Sequence, residues 1–564
     1  MTCIKTLARI GLLAGAAALG AGGAVAQETP QYGGSLSIAN VYRTVAPLSF
    51  DAADWNWKFN QDLGLVNESL LVADLSKSRT QGGPYAFISD AYLPMAAVRG
   101  ELAESWQMQD NPQQLVIKLR KGVMFPEKKG VMASRELTAD DVVYSFNRYN
   151  NSPKKVANYF DHIDKVEATD KYTVVIRFNK YMAEWDYRFG WGYYSSIVPK
   201  EVVEAGANNW RNANGTGPFM LTNYVQGNTL AYKKNPVYWD SITLGGKSYK
   251  LPFVETLSYR VIKDESTALT ALRTGKLDIM EAVPWSAVDE LKKSAPPLKW
   301  NRWLSTLGNY VALRTDTKPF DDLRVRRALN MAVDRDQIIK TFYGGQAEVL
   351  GYPMTPDFGP YYEKLATMPE AVKELFTYNP DKAKKLLAEA GYPNGFSVKV
   401  QTSSVNTNNE VLSIVASQLA KVGVKLEIQV LEYPAYLSAM TTKTHAPAYF
   451  MNQGHTNPTT SLRKAFGSGQ IWNPSQYSDK AFDAKLEAAQ TEPDEAKRQE
   501  LLRAMTREIL EKAPHIWLPT PYVYTAWWPW VKNYSGELRA GAERPGPIHA
   551  RIWVDQAMKK KLGF

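Results

Sequence analysis

The stretch from Asn379 to Leu431 constrains the fold more than any other. Asn379 is a helix cap, and Pro380 suits the first helical position, where a missing N–H leaves no bond unmade. Ala383, Leu386, Leu387 and Ala390 then recur on one face, and Gly391 supplies the stop. Phe396 to Val400 reads as a strand. Val411, Leu412, Val415 and Leu419 mark a second helix, ended by Gly423. Val424, Leu426, Ile428 and Val430 alternate with polar residues as a second strand. A strand, a helix and a strand at this spacing form a βαβ unit, and the class is α/β.

Other elements alternate in the same way. Gly34 to Val41 reads as an opening strand, and Leu115 to Leu119 and Thr173 to Phe178 as short β-rich runs. Thr138 caps a helix whose first turn carries Asp140 and Asp141 and whose face carries Val142, Val143, Phe146 and Tyr149. No internal repeat and no low-complexity linker appears. The length of 564 residues allows about three domains, joined by short crossings.

The first 26 residues read as a secretory signal. Lys5 and Arg9 are its basic end, Ile10 to Gly23 its apolar run, and Ala24-Val25-Ala26 its cleavage site, so the mature chain begins at Gln27. A membrane span needs about 20 strongly apolar residues; this run is short and rich in Ala and Gly. Cleavage after Ala26 also removes Cys3, the single cysteine of the chain. The exported protein then has neither thiol nor disulfide, which fits a bacterial periplasm. Cys3 precedes the apolar run, so it is not a lipid acceptor. The formal charge of +10 falls by the two cations of the signal. The remaining charge is spread out; Lys559-Lys560-Lys561 is a solvated tail, and no basic, aromatic-studded groove for nucleic acid is present.

Catalytic signatures are missing. None of the five histidines (His162, His445, His455, His515, His549) stands in an H-E-x-x-H pattern. No nucleophile elbow occurs; Phe466 to Gly469 only resembles one in composition. Gly245-Gly246-Lys247-Ser248 looks like the end of a phosphate loop, but Ser241 stands where the loop needs glycine, and a surface turn is the simpler reading. The pairs Asp140-Asp141 and Asp321-Asp322 sit at helix starts, where capping accounts for them. Nothing asks for a cofactor or a resident metal.

Several blocks together resemble the extracytoplasmic solute-binding proteins, family 5, of the peptide, opine and nickel ABC importers. Leu102 to Trp106, Leu119 to Phe125 and Leu137 to Ser145 resemble that family's "LAESW…LRKGVKF" signature and its continuation. Gly215 to Phe219 with Asn235 to Trp239 matches the "GTGPY…NPxYW" pair. Lys318 to Leu329 with Ala332 to Arg335, and Tyr378 to Ala383 with Leu386, Leu387 and Ala390 to Tyr392, match two more. Any one block is unspecific; their order from about residue 33 to beyond 520 carries the resemblance.

The resemblance implies a two-lobed periplasmic-binding-protein fold with a hinge and an extra inserted subdomain. Lobe I is expected at residues 27–72, 209–300 and 515–564, the inserted subdomain at 73–208, and lobe II at 301–514. It also implies a monomer that closes on a small solute and docks on a membrane permease. The solute could be an oligopeptide, an opine-like compound or an oligosaccharide. An exported hydrolase of such solutes is the alternative.

In peptide-binding relatives a segment resembling "GWGADYPDP" lines the cleft, and its first Asp pairs with the ligand's ammonium. The corresponding stretch here is Asn452 to Thr460, so Thr456 replaces that Asp and Thr459 the second. A buried ammonium without a carboxylate is costly, so a ligand without a clamped free amine is expected, unless Glu68 or Asp51 supplies the clamp. The expected ligand contacts are Asn40 and Tyr42 at the end of the opening strand, Tyr433, Tyr436 and Trp472 flanking the segment, and Gln453, Gly454, His455, Thr456 and Asn457 within it. Trp55 and Trp57 lie beside Tyr42, and aromatic faces stack on sugar rings and apolar side chains alike. Trp527, Trp528 and Trp530 read as packing. A lone His455 makes a poor metal ligand and a better hydrogen-bonding group.

Overall fold

The computed structural model describes residues 29–564 apart from 157–158, 405–408 and 455. The signal segment at 1–26 and His455 therefore lie outside the described residues.

The βαβ unit forms from the elements its pattern implies. Asn379 accepts a hydrogen bond from the Lys382 N–H at 3.0 Å and starts the helix Pro380–Glu389. Phe396–Ser403 and Val424–Leu431 pair in parallel, Phe396 opposite Val424, with the helix Asn409–Ala420 as crossover. The helix buries Val411, Leu412, Val415 and Leu419 against the sheet. The alternation along Val424–Leu431 fades into solvent: Val424 is buried, but Ile428 is 40% and Val430 55% exposed. This strand is the edge of its sheet, so its far end has no neighbour to cover it.

That sheet has five strands in the order Val424–Leu431, Phe396–Ser403, Ala448–Gly454, Leu307–Leu313, His515–Trp517. A second, eight-stranded sheet draws together distant parts of the chain. Ser35–Ala39 lies between Thr256–Arg260 and Ile279–Pro284, parallel to both. Thr520–Trp527 follows, antiparallel, and pairs on its other side with Lys299–Leu304. A four-stranded antiparallel sheet, Ala103–Asp110, Gln113–Leu119, Thr173–Phe178, Ile163–Asp170, stands apart from both.

Two of these pairings locate the passages of the chain between the sheets. Lys299–Leu304 stays with the eight-stranded sheet, and His515–Trp517 pairs with Leu307–Leu313 in the five-stranded one. The chain therefore crosses between these sheets at 305–306 and 518–519. The reason is packing: Ile516 is fully buried in the core of the five-stranded sheet, and Trp303 lies in a separate small cluster with Ile88 and Leu538.

Local chemistry explains the features that imitate active sites. The Asp141 carboxylate accepts the Thr138 N–H at 2.9 Å, and Asp322 accepts that of Arg324 at 2.8 Å, so both cap helices. Gly245 and Gly246, with φ of 56° and 76°, form the turn between the strands Ser241–Leu244 and Lys247–Lys250; a left-handed pair of this kind favours glycine. Trp528 and Trp530 stack at 4.7 Å in the core.

Candidate functional site: an aromatic cavity between the sheets

The chain passes between the two large sheets at 305–306 and 518–519. A cavity of about 210 Å³ lies between them, smaller than the roughly 300–1,000 Å³ of pockets for drug-sized ligands. Tyr42, Trp55 and Trp57 contribute from the side of the eight-stranded sheet. Tyr159, Tyr187, Tyr193 and Tyr194 come from the segment that carries the four-stranded sheet. Tyr433, Tyr436, Met451, Gln453, Gly454, Thr456, Thr460, Arg463, Lys464 and Trp472 come from the five-stranded sheet and its helices, and Glu543 from the C-terminal return. Of the expected contacts, Tyr42, Tyr433, Tyr436, Gln453, Gly454, Thr456 and Trp472 meet here. Asn40 and Asn457 do not line the cavity; Asn457 instead caps the helix Pro458–Phe466 by accepting the Thr460 N–H at 2.9 Å.

The bonds inside the wall decide what each polar group can offer. Gln453 is 3% exposed, and its Oε1 accepts from the hydroxyls of both Tyr310 and Tyr352 at 2.7 Å. Thr456 is 2% exposed; its N–H donates to Ser461 Oγ at 3.0 Å and its hydroxyl lies 3.1 Å from the same atom. No carboxylate stands at this position. Glu68 and Asp51 do not supply one either. Glu68 accepts from Trp239 Nε1 at 3.0 Å, and Asp51 pairs with Arg148 at 2.5 Å; neither lines the cavity.

One end of the cavity holds a compensated charge cluster. Tyr42 donates to Glu543 Oε1 at 2.7 Å, and Arg539 Nε donates to Glu543 Oε2 at 2.8 Å while its Nη1 reaches Glu281 at 3.4 Å. Lys464 Nζ donates to the Gly454 carbonyl at 2.6 Å and faces Asp90 and Glu543. Burial pushes the Lys464 ammonium down to about 8. Asp90 accepts from Thr306 at 2.7 Å, in the crossing between the sheets. Burial, and then repulsion from Glu543, push its carboxyl up to about 8.

Asp90 gives the fold a dependence on pH. The folded chain holds this carboxyl protonated up to about pH 8, whereas an unfolded aspartate ionises near 3.8. Between those values the folded state binds the extra proton, so the group's contribution is full below the lower value and is lost as pH rises through the upper one. Asp90→Asn, which stays neutral, is expected to flatten the fall in melting temperature between about pH 5 and 8. An unchanged slope across that range contradicts the assignment.

The aromatic run at 185–194 was not anticipated as part of the site, although its density (Trp185, Tyr187, Phe189, Trp191, Tyr193, Tyr194) is visible in the sequence. Arg463, Lys464 and Glu543 carry no sequence signal; only the fold brings them to one wall.

Two α/β lobes joined by two short crossings, with a cavity between them, define a two-lobed periplasmic binding protein. Residues 97–473 match the profile of the bacterial extracellular solute-binding proteins, family 5 Middle, and the chain belongs to this family. The heme-binding protein A of Haemophilus influenzae is 28% identical over 448 residues, 75% of this chain and 78% of that one. The dipeptide-binding protein of Escherichia coli is 28% identical over 461 residues, 77% of this chain and 83% of that one. The structure of the ABC transporter-associated periplasmic binding protein DppA from Helicobacter pylori, in complex with the peptide STSA, superposes with a TM-score of 0.76. It is 25% identical and covers 93% of this chain and 99% of that one. The chain is thus the substrate-binding component of an ABC importer, which binds a small solute and docks on a permease. Among the described residues no helix is long and apolar enough to cross a membrane, and no group of three or more His, Asp or Glu could hold a metal ion.

Proposed function

We propose that this protein captures a small solute carrying no clamped primary ammonium, held by the aromatic walls, and delivers it to its permease by hinge closure. The observation that carries the reading is Thr456. The resemblance sets it against the family's ammonium-binding aspartate, and its hydroxyl lies 3.1 Å from Ser461 Oγ. The carboxylate in the lining, Glu543, already accepts from Tyr42 and Arg539, which leaves it poorly placed to clamp an amine. Amine-blocked peptides, opine-like acids and short oligosaccharides fit such walls, because tyrosine and tryptophan offer apolar faces with polar edges. The solute draws the lobes together only insofar as it binds the closed form better than the open one.

The working form is a monomer in the periplasm, released by cleavage after Ala26, and it is a carrier, not a hydrolase. The hydrolase alternative has less support because the same two bonds to Glu543 occupy the oxygens that a nucleophile or general base needs free. Thermal melts against a solute panel test the reading. Unmodified di- and tripeptides are expected to raise the melting temperature little, and amine-blocked or polyhydroxylated solutes more. Strong stabilisation by simple free-amine peptides would overturn it. Catalytic cleavage of a peptide or glycoside by the purified chain would overturn the carrier role itself.

A further inference from the structure

We propose that Arg463 is the receptor for a carboxylate of the bound solute, which makes the cargo a small organic acid lacking a primary ammonium. This rests on the solute-binding reading of the cavity and adds the chemical group by which the solute is recognised.

Arg463 lies on the helix Pro458–Phe466 and contributes to the cavity wall. It is 6% exposed. Its Nη1 donates to Gln470 Oε1 at 3.1 Å, and its Nε has no hydrogen-bond partner. Among the described residues no carboxylate forms an ion pair with it. The acid nearest in role is Glu184, whose oxygens accept from the Thr460 N–H at 3.0 Å and the Thr460 hydroxyl at 2.9 Å and pair with Arg188 at 3.5 Å. Glu184 is thus already engaged and makes no ion pair with Arg463. An arginine stays charged under such conditions, and a buried cation without its own anion is costly. The strain is visible in its acidity: burial, and then the Arg188 charge beside it, push the Arg463 guanidinium down to about 10.

A second donor at the same end of the cavity points to the same kind of ligand. Trp55 lines the cavity, is 9% exposed, and its Nε1–H has no hydrogen-bond partner. An indole N–H can only donate. Trp55 packs against Tyr194 with ring centres 3.7 Å apart and against Tyr159 at 5.1 Å, and the Arg463 charge acts on both tyrosines. A solute bringing a negative charge offsets the Arg463 cation that no protein carboxylate pairs. The planar fork of arginine matches a carboxylate in geometry as well as in charge. The neighbouring cation Lys464 differs, because it is bonded to the Gly454 carbonyl and faces Asp90 and Glu543.

The test compares N-acetyl-Phe-Gly with its C-terminal amide by calorimetric titration of the full-length exported chain. The wild type is expected to bind the acid about 10- to 100-fold more tightly than the amide, the range of a charge-assisted hydrogen bond. Arg463→Gln is expected to bring the acid down to the level of the amide. Arg463→Lys keeps the charge and loses the fork, and is expected to fall between. Trp55→Phe removes the N–H together with the pyrrole half of the indole, and is expected to weaken the acid more than the amide. Equal binding of acid and amide by the wild type, or an undiminished preference in Arg463→Gln, overturns the carboxylate site while leaving solute capture in the cavity standing. Should Arg463→Gln fail to fold, the wild-type preference and Arg463→Lys decide. Failure of both probes at millimolar concentration also overturns the site; the solute panel then shows separately whether the cavity binds anything.

Discussion

Arg539→Met is expected to destabilise the chain by about 3–5 kcal/mol, the cost of breaking a buried ion pair by removing one partner. Arg539 is 1% exposed and stands between Glu543 and Glu281, which are equally buried. Methionine fills a similar volume, so the loss is electrostatic: two carboxylates remain in the core with no cation between them. The loss should shrink toward acidic pH, where burial already favours the protonated form of Glu543. Removal of a surface partner provides the contrast. Lys77→Met breaks the half-exposed pair with Asp74 and is expected to change stability by about 0–1 kcal/mol. Denaturant melts followed by tryptophan fluorescence read both. An Arg539→Met change no larger than that of Lys77→Met contradicts the account. Because Glu543 also lines the cavity and holds Tyr42, solute binding should weaken together with stability.

Gln453→Leu is expected to cost about 1–3 kcal/mol through the hydroxyls it deprives of an acceptor. Tyr310 and Tyr352 both donate to this one side-chain oxygen, and their rings stack at 4.9 Å behind the cavity wall. Gln453 thus anchors the aromatic layer behind the wall it lines. Tyr310→Phe added to Gln453→Leu should recover part of the loss, because the second change removes a hydroxyl that had donated to Gln453; residues this close are expected to couple. Strictly additive losses in equilibrium unfolding would show that the shared acceptor is unimportant.

The sequence made the α/β class and the βαβ unit legible because caps, glycine stops and periodicity are local. The crossings were less legible. Nothing in the run from Lys299 to Leu313 marks where one sheet ends, since the change of partner is a tertiary event. The cavity was half legible. Tyr42, Tyr433, Tyr436 and Trp472 were reachable through the resemblance, and Thr456 through its departure from it. Arg463 and Glu543 were not: a single arginine on a helix or a single glutamate in a return carries no pattern. Their meaning comes from burial and from which partners they lack or hold.

The central claim is that the aromatic cavity retains one intact small solute per chain. Its most direct measurement is capture from a deproteinised bacterial metabolite extract, with the chain re-isolated, examined by native mass spectrometry, and the released solute weighed after denaturation. The account predicts a one-to-one adduct whose solute leaves unchanged in mass, carries a carboxylate and lacks a primary amine. A chain that emerges bare, or a solute returned as cleavage products, would contradict it.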